Sequence, residues 1–365
     1  MTGWKSMSNQ KTKILHVLKS SVYAGAEHVA VSICKSLQEQ FAFAYASVDG
    51  EIAPYVKGSG ISFYPMSAFS IREVTKVLEL YQPDIIHAHD FSAFVVCALV
   101  KKNSRLIAHL HHNPPWIQNW NYKAAVCRLL LERADRILAV SNAILEESVF
   151  FHKHHTKVLV VQNPVDTMRI RKMAQESNSV SADVLFVGRL VPPKNPLRFI
   201  RVVGALKKQK PDITAVMLGD GELAVECRKM IGKMGLEHTI YMAGFTRNPY
   251  PFMKQAKIML VTSDLEGYGI AAAEAAVLGT PVLAANVGGL RSIFGDFPQA
   301  LCGRPFSNKV GSKRIEADLR RKAAVLLRDP LRYELFKQEM EKRVYVEEID
   351  RYMDRLESIY GELDR

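Results

Sequence analysis

Short apolar runs alternate with stretches of helical periodicity along the chain. That alternation reads as βαβ units, and so as parallel sheets covered by helices. The first run is Ile14-Leu15-His16-Val17-Leu18, followed by a helical pattern from Ala26 to about Gln38 and a strand near Phe41–Val48. Ile71–Tyr81 is amphipathic, and Gln82-Pro83 ends it before the buried-strand pattern Asp84–Ala88. Further strands are predicted at Arg105–His109, Arg136–Val140 and Val158–Val161, the last running into the turn Asn163-Pro164-Val165-Asp166. Residues 172–183 are polar and Ser-rich, which suits a linker. The alternation then restarts with Val184–Val187, a Gly-Arg loop, a helix over Pro196–Lys208 and a strand Thr214–Leu218 ending in Gly219-Asp220-Gly221. Strands at Ile240–Ala243, Ile258–Val261 and Pro281–Ala284 follow. From Arg314 to Leu363 the pattern is helical throughout, and the apolar spacing of Val344–Leu363 suits packing back on the first domain.

At 365 residues and roughly 150 residues per domain, two α/β domains are expected. Their boundaries are predicted at 13–170 and 184–343, with a linker over 171–183, a returning helix over 344–365 and a disordered segment 1–12. Hydrophobic residues at 48% and charged residues at 24% exclude a disordered chain. The net charge of +12 is shared by both halves, which favours anionic partners: phosphorylated ligands, acidic lipid or nucleic acid. No aromatic platform is interleaved with the basic residues, so nucleic acid is not expected. Cys34, Cys97, Cys127, Cys227 and Cys302 form no C-x-x-C pair, which suits a reducing compartment. Met1–Lys13 lacks the apolar core of a signal peptide, and Phe91–Val100 is too short to span a bilayer. A soluble, cytoplasmic protein is the expectation.

The segment with most chemistry runs from Ser263 to Pro281. A strand ends at a loop holding Gly267 and Gly269, an Ala-rich helix starts near Ile270, and Gly279 stops it before Pro281 opens another strand. Free amides at such a helix N-terminus attract an anion. Glu266 in the loop and Glu274 a turn into the helix are carboxylates, suited to accepting hydrogen bonds from sugar hydroxyls rather than binding phosphate; a capped helix with solvated carboxylates fits the same spacing. A second loop, Gly188-Arg189-Leu190-Val191-Pro192-Pro193-Lys194-Asn195, puts Arg189 and Lys194 at a strand's C-terminal end, where parallel sheets bind ligands. Two cations there suit a diphosphate, although an exposed Arg–Lys loop is common on any surface.

These residues resemble the retaining GT-B glycosyltransferases of glycosyltransferase family 4. Glu266 and Glu274 match the family's E-x7-E element, with Gly279-Thr280-Pro281-Val282 after it. Gly188-Arg189-Leu190 with Lys194 matches the donor-diphosphate loop, and Gly219-Asp220-Gly221 the next strand end. Ala24-Gly25-Ala26-Glu27 and Asn163-Pro164-Val165-Asp166 resemble two further family turns. The resemblance implies two Rossmann-like α/β domains facing a central cleft, the first for the acceptor and the second for a nucleotide-sugar donor, with UDP ahead of GDP. It places Glu274 on the ribose, Glu266 and His111 toward the sugar, and Arg189, Lys194, Gly25, Gly219, Gly269 and Ile270 around the diphosphate. It also implies transfer of a hexose to a glycan or lipid-linked acceptor, with configuration retained. No D-x-D motif occurs, and no metal or other cofactor is expected. The chain departs from the family at Ala24, where Gly is usual, and at Ser292, where Glu is common.

Ten of the eleven histidines precede residue 160. The H-x-H spacings of His87-Ala88-His89 and His109-Leu110-His111 would suit zinc, but no Cys or flanking carboxylate completes a set, so loop groups lining a cleft is the expectation; His152, His154 and His155 are expected at the surface. Asn121–Ile137 holds Tyr122, Ala125, Val126, Leu129 and Leu130 with Lys123, Arg128, Arg133 and Arg136, close to Trp116 and Trp120. It suits either peripheral contact with an anionic membrane or a core helix with a solvated basic face. Three other functions fit parts of the pattern: a nucleotide-binding module without transfer activity, a nucleotide-sugar epimerase, or a phosphorylase. A dehydrogenase does not fit, since no G-x-G-x-x-G follows the first strand.

Overall fold

The computed structural model describes residues 11–151, 156–176, 180–304 and 313–364. The expectations for residues 1–10, for 177–179 of the linker and for His152, His154 and His155 lie outside them. Lys11 and Thr12 belong to the first folded unit, Ala42 donating to the Thr12 carbonyl at 3.0 Å. Two compact units emerge: one takes the residues up to 140, 145–161 and from 350 on, the other 141–144 and 162–349.

The first unit contains β1 (Lys13–Val17), α1 (Gly25–Ser36), β2 (Ala42–Val48), α2 (Ala53–Lys57), β3 (Ser62–Met66), α3 (Ile71–Tyr81), β4 (Ile85–His89), α4 (Asp90–Val100), β5 (Arg105–Leu110), α5 (Tyr122–Leu130) and β6 (Arg136–Ala139). The short α6 (Asn142–Glu146) and β7 (Val158–Val160) follow. The strands pair in parallel in the order β3-β2-β1-β4-β5-β6-β7. Local chemistry sets the limits of α3: Ser70 accepts from the Glu73 N–H, and Gln82 turns left-handed at its end. Two elements escape a periodicity reading. β3 carries Pro65 and lies at the sheet edge, where a missing N–H is tolerated. α4 is apolar almost all round, with Phe91, Ala93, Phe94, Cys97 and Ala98 buried, so it shows no polar stripe.

The second unit begins earlier than the sequence predicts. The chain enters it at Gln162 rather than after residue 170, because α7 (Thr167–Met173) packs on helices of the second unit. Then come β8 (Val184–Val187), α8 (Pro196–Lys207), β9 (Ala215–Leu218), α9 (Ala224–Lys233), β10 (Ile240–Gly244), α10 (Tyr250–Gln255), β11 (Ile258–Val261), α11 (Ile270–Val277), β12 (Val282–Ala285), α12 (Leu290–Phe294) and β13 (Leu301–Cys302). The sheet order is β10-β9-β8-β11-β12-β13, again parallel. Val184, Phe186, Phe199, Val203, Met217, Leu260 and Leu283 lie in its core.

The tail is not one helical run. It forms α13 (Lys313–Arg328), α14 (Pro330–Arg343) and α15 (Ile349–Leu363). Asp329 caps α14 by accepting from the Arg332 N–H, and Pro330 cannot continue α13. Residues 344–348 are extended, and Val165 donates to the Glu347 carbonyl at 2.8 Å. The returning helix therefore starts at Ile349, not Val344. It buries Tyr352, Met353, Leu356, Ile359, Tyr360 and Leu363 in the first unit, where the Tyr360 ring packs edge-on against Phe41 at 5.3 Å.

Candidate functional site

Strand order reverses between β8 and β11 in the second sheet. The loops leaving those two neighbours diverge and open a crevice at their C-terminal ends. Both sequence-predicted loops sit there. Lys194, in a short helical turn after β8, reaches across to Glu266 after β11, with Nζ 2.5 Å from Oε2. Ser263 donates to the same carboxylate oxygen at 3.1 Å. Lys194, Ser263, Glu266, Gly269 and Ala272 line one recess. Gly269 is the N-cap of α11 and no side chain caps that helix, so its first amides face the recess end undressed. Ile270 is the first helical residue. Glu274 lies one turn on and accepts from the Tyr250 hydroxyl at 2.9 Å. Burial of its carboxyl pushes it up to about 7, against the pull of Tyr250 and Arg169. Arg189 is exposed and makes no ion pair among the described residues.

Glycine is required where these loops touch. A Cβ on Gly219 (φ +131°), at the end of β9, would lie 2.0 Å from the Gly188 carbonyl oxygen. One on Gly288 (φ +48°) would lie 1.9 Å from that of Glu266. The backbone around Glu266 is thus clamped by the turn after β12.

One supporting group went unrecognised in the sequence. Arg198 is 1% exposed; its guanidinium bonds Asp264 Oδ1 (2.6 Å) and the Thr262 carbonyl (2.7 Å), while Asn195 bonds Asp264 Oδ2 (2.8 Å). This ties the Lys194 loop to the Glu266 loop. The available signal was a lone Arg beside Phe199, Ile200, Val202 and Val203, a charge that needs a buried partner.

Gly25 and His111 belong to the first unit. Gly25 opens α1. His111 follows β5, is 8% exposed, and its backbone N–H donates to Asp90 Oδ1 at 2.8 Å. A separate crevice in this unit is lined by Lys19, Ser20, Glu27, Asp90 and His112. Burial raises the Glu27 carboxyl. Burial alone would raise Asp90 and lower His112, but their contact at 2.9 Å reverses both shifts and favours an ion pair. His89 lies inside a strand, contrary to expectation, while His111 and His112 follow β5 as loop groups. His16, His87, His89 and His109 lie inside β1, β4 and β5, at most 2% exposed. On α5, Ala124 and Cys127 face the core, while Tyr122, Val126 and Leu129 stand exposed beside Lys123, with Trp120 exposed just before them.

Two family models match consecutive stretches: "Glycosyltransferase Family 4" over residues 23–169 and "Glycosyl transferases group 1" over 169–324. The chain belongs to glycosyltransferase family 4. An N-acetylgalactosamine-N,N'-diacetylbacillosaminyl-diphospho-undecaprenol 4-alpha-N-acetylgalactosaminyltransferase from Campylobacter jejuni is 32% identical over 46% of this chain and 46% of its own. The capsular polysaccharide biosynthesis glycosyltransferase CapH of Staphylococcus aureus is 24% identical over 75% of this chain and 81% of its own. The chain spans about half the length of several curated relatives it matches. Anabaena Alr3699/HepE, solved in complex with UDP-glucose, superposes with a TM-score of 0.77 at 20% identity, over 96% of this chain and 99% of the other. That similarity establishes the GT-B fold for this family 4 member. Among the described residues no helix is long and apolar enough to cross a membrane.

Proposed function

We propose that this chain is a retaining hexosyltransferase. It takes a sugar from a nucleoside-diphosphate donor, UDP ahead of GDP, and passes it to a glycan or lipid-linked acceptor in cell-surface polysaccharide or glycolipid assembly, without a metal ion. One observation carries the reading: Lys194, Glu266 and the uncapped N-terminus of α11 meet where the second sheet's strand order reverses.

Breaking the anomeric C–O bond builds negative charge on the departing diphosphate and positive charge on the ring. Arg189, Lys194 and the Gly269–Ile270 amides stabilise the former through fixed dipoles and charges. Donor binding draws Lys194 from Glu266 to the diphosphate, which frees Glu266 to accept from sugar hydroxyls. Glu274 accepts from the ribose. The acceptor oxygen bonds the anomeric carbon on the face the diphosphate leaves, and its proton passes to the leaving phosphate oxygen, so configuration is kept. The family resemblance assigns His111 a role toward the donor sugar.

The choice of UDP is supported by the UDP complexes of Alr3699/HepE, and the acceptor class by the names of the Campylobacter and Staphylococcus relatives. The exposed face of α5 supports peripheral contact with an anionic membrane, where a lipid-linked acceptor resides. The test is a thermal-shift and hydrolysis screen of UDP-, GDP- and ADP-sugars, followed by transfer assays with added glycan and lipid acceptors. Binding of a UDP-sugar and product that depends on the acceptor are expected. Strict dependence on magnesium, or indifference to all three donors, would overturn the reading.

A further inference from the structure

Five imidazoles lie on one face of the first sheet, in β1, β4, β5 and just after β5. Their rings stack, His87 on His89 at 4.5 Å and 9° and His89 on His111 at 5.1 Å and 14°. Each ring-to-ring contact joins Nε2 of one ring to Nδ1 of the next. His111 Nε2 meets His89 Nδ1 at 2.8 Å, and His89 Nε2 meets His16 Nδ1 at 2.9 Å. His16 Nε2 meets the Tyr360 hydroxyl at 3.4 Å, and that hydroxyl meets His87 Nδ1 at 2.7 Å. His87 Nε2 meets His109 Nδ1 at 3.1 Å, and His109 Nε2 ends the series, buried and without a hydrogen-bond partner.

Two chemistries use such a cluster. His16, His87 and His89, or His89, His109 and His111, bring ligand nitrogens within 4.8 Å of one another, as a metal site requires. Two imidazoles on one tetrahedral zinc stand about 3.3 Å apart, given Zn–N bonds of about 2.0–2.1 Å. The contacts measured between ring nitrogens are 2.8–3.1 Å, the spacing of a shared proton. Burial, with neighbouring imidazoles adding to it, also keeps His16, His87, His89 and His109 uncharged. A neutral imidazole carries one proton, so it donates from one nitrogen and accepts at the other.

A head-to-tail series of neutral rings then has only two arrangements. Either every ring is protonated on Nε2 and the donors run from His111 to His109, or every ring is protonated on Nδ1 and they run the other way. Tyr360 accepts on one side and donates on the other in both, so it couples the His111-His89-His16 segment to the His87-His109 segment. We propose that Tyr360, carried by the last helix, locks all five histidines into one common tautomer and so sets which nitrogen of His111 bears its proton. Tyr360 is therefore a positioning residue for the group that faces the sugar, a role that rests on the transferase reading. The wrong tautomer of a substrate-facing histidine is a familiar way to lose turnover with the geometry intact.

The test is NMR of the full chain labelled with 15N at histidine, which distinguishes Nδ1–H, Nε2–H, imidazolium and metal-bound rings. The wild type should show the same neutral tautomer at all five positions. Tyr360→Phe keeps the ring packed on Phe41 but removes the link, so the two segments should cease to match and the His111 nitrogen shifts should move. Turnover should fall about tenfold with the donor KM little changed. Mixed tautomers or an imidazolium in the wild type would overturn the proposal, as would bound metal at one equivalent. A tautomer change in Tyr360→Phe with unaltered turnover would overturn its link to the reaction. The wild-type spectrum reads the coupling even if the variant does not fold or no donor is turned over, so failure of the coupling and failure of the transferase reading are seen separately.

Discussion

Lys194 and Glu266 hold each other across two loops, so removing either has a catalytic and a structural effect. Glu266→Ala and Lys194→Ala should each lower turnover by at least about tenfold, measured as acceptor-dependent product. Sequence alone predicts little change in thermal stability for both. The contact separates them: the Glu266 side chain is 10% exposed and that of Lys194 27%. Lys194→Ala strands a mostly buried carboxylate and should cost about 1–2 kcal/mol in chemical denaturation, while Glu266→Ala leaves an amine that reaches water and should cost less. Glu274 sets a pH dependence. Its carboxyl is raised from 4.5 to about 7 by burial, so the folded protein holds that proton more tightly than the unfolded chain. The stability it contributes is complete below pH 4.5 and is lost as pH rises to about 7. Melting curves across that window should show the loss, and Glu274→Gln should flatten it. If the ionised form receives the ribose, UDP affinity by calorimetry should rise through the same pH in the wild type and stay flat in Glu274→Gln.

Among the elements, the turn after β12 and the face of α5 carry the sharpest consequences. Gly288→Ala puts a methyl against the Glu266 carbonyl in a backbone conformation that disfavours any side chain. It should cost about 2–4 kcal/mol in urea denaturation and lower turnover with it, since Glu266 must move. On α5, replacing Trp120 and Leu129 together by Ser should cut sedimentation with phosphatidylglycerol vesicles by about fivefold or more, and high salt should weaken wild-type binding. Unchanged sedimentation would assign that face another purpose. Elements with a strong period, such as the central strands and α3, were legible because their burial repeats locally. α4 was hidden by apolarity on all sides, and β3 by Pro65 at an edge. The breaks in the tail had a signal in Asp329-Pro330, but the extended 344–348 is set by pairing with Val165, which no local pattern reveals. The same holds for the site. The Lys194 and Glu266 loops could be placed at strand ends from sequence, whereas their contact, the Arg198–Asp264 tie and the alignment of His16 with His87 depend on strand order.

For the whole molecule, the decisive feature is that the first unit is built from both ends of the described chain. α15 fills the face of that sheet with Tyr352, Leu356, Ile359 and Tyr360, all nearly or fully buried. Leu356→Ala should cost about 2–5 kcal/mol in chemical denaturation, as expected for a truncated core leucine. During synthesis this architecture imposes an order. β1 through β7 leave the ribosome early, yet Phe41, Phe43 and the imidazole column lack their cover until α15 has been translated. The second unit is contiguous save for residues 141–144 and can close first. The half that emerges earliest is therefore completed last, and it must wait with an apolar face open, which makes it the part of the molecule with most need of a chaperone.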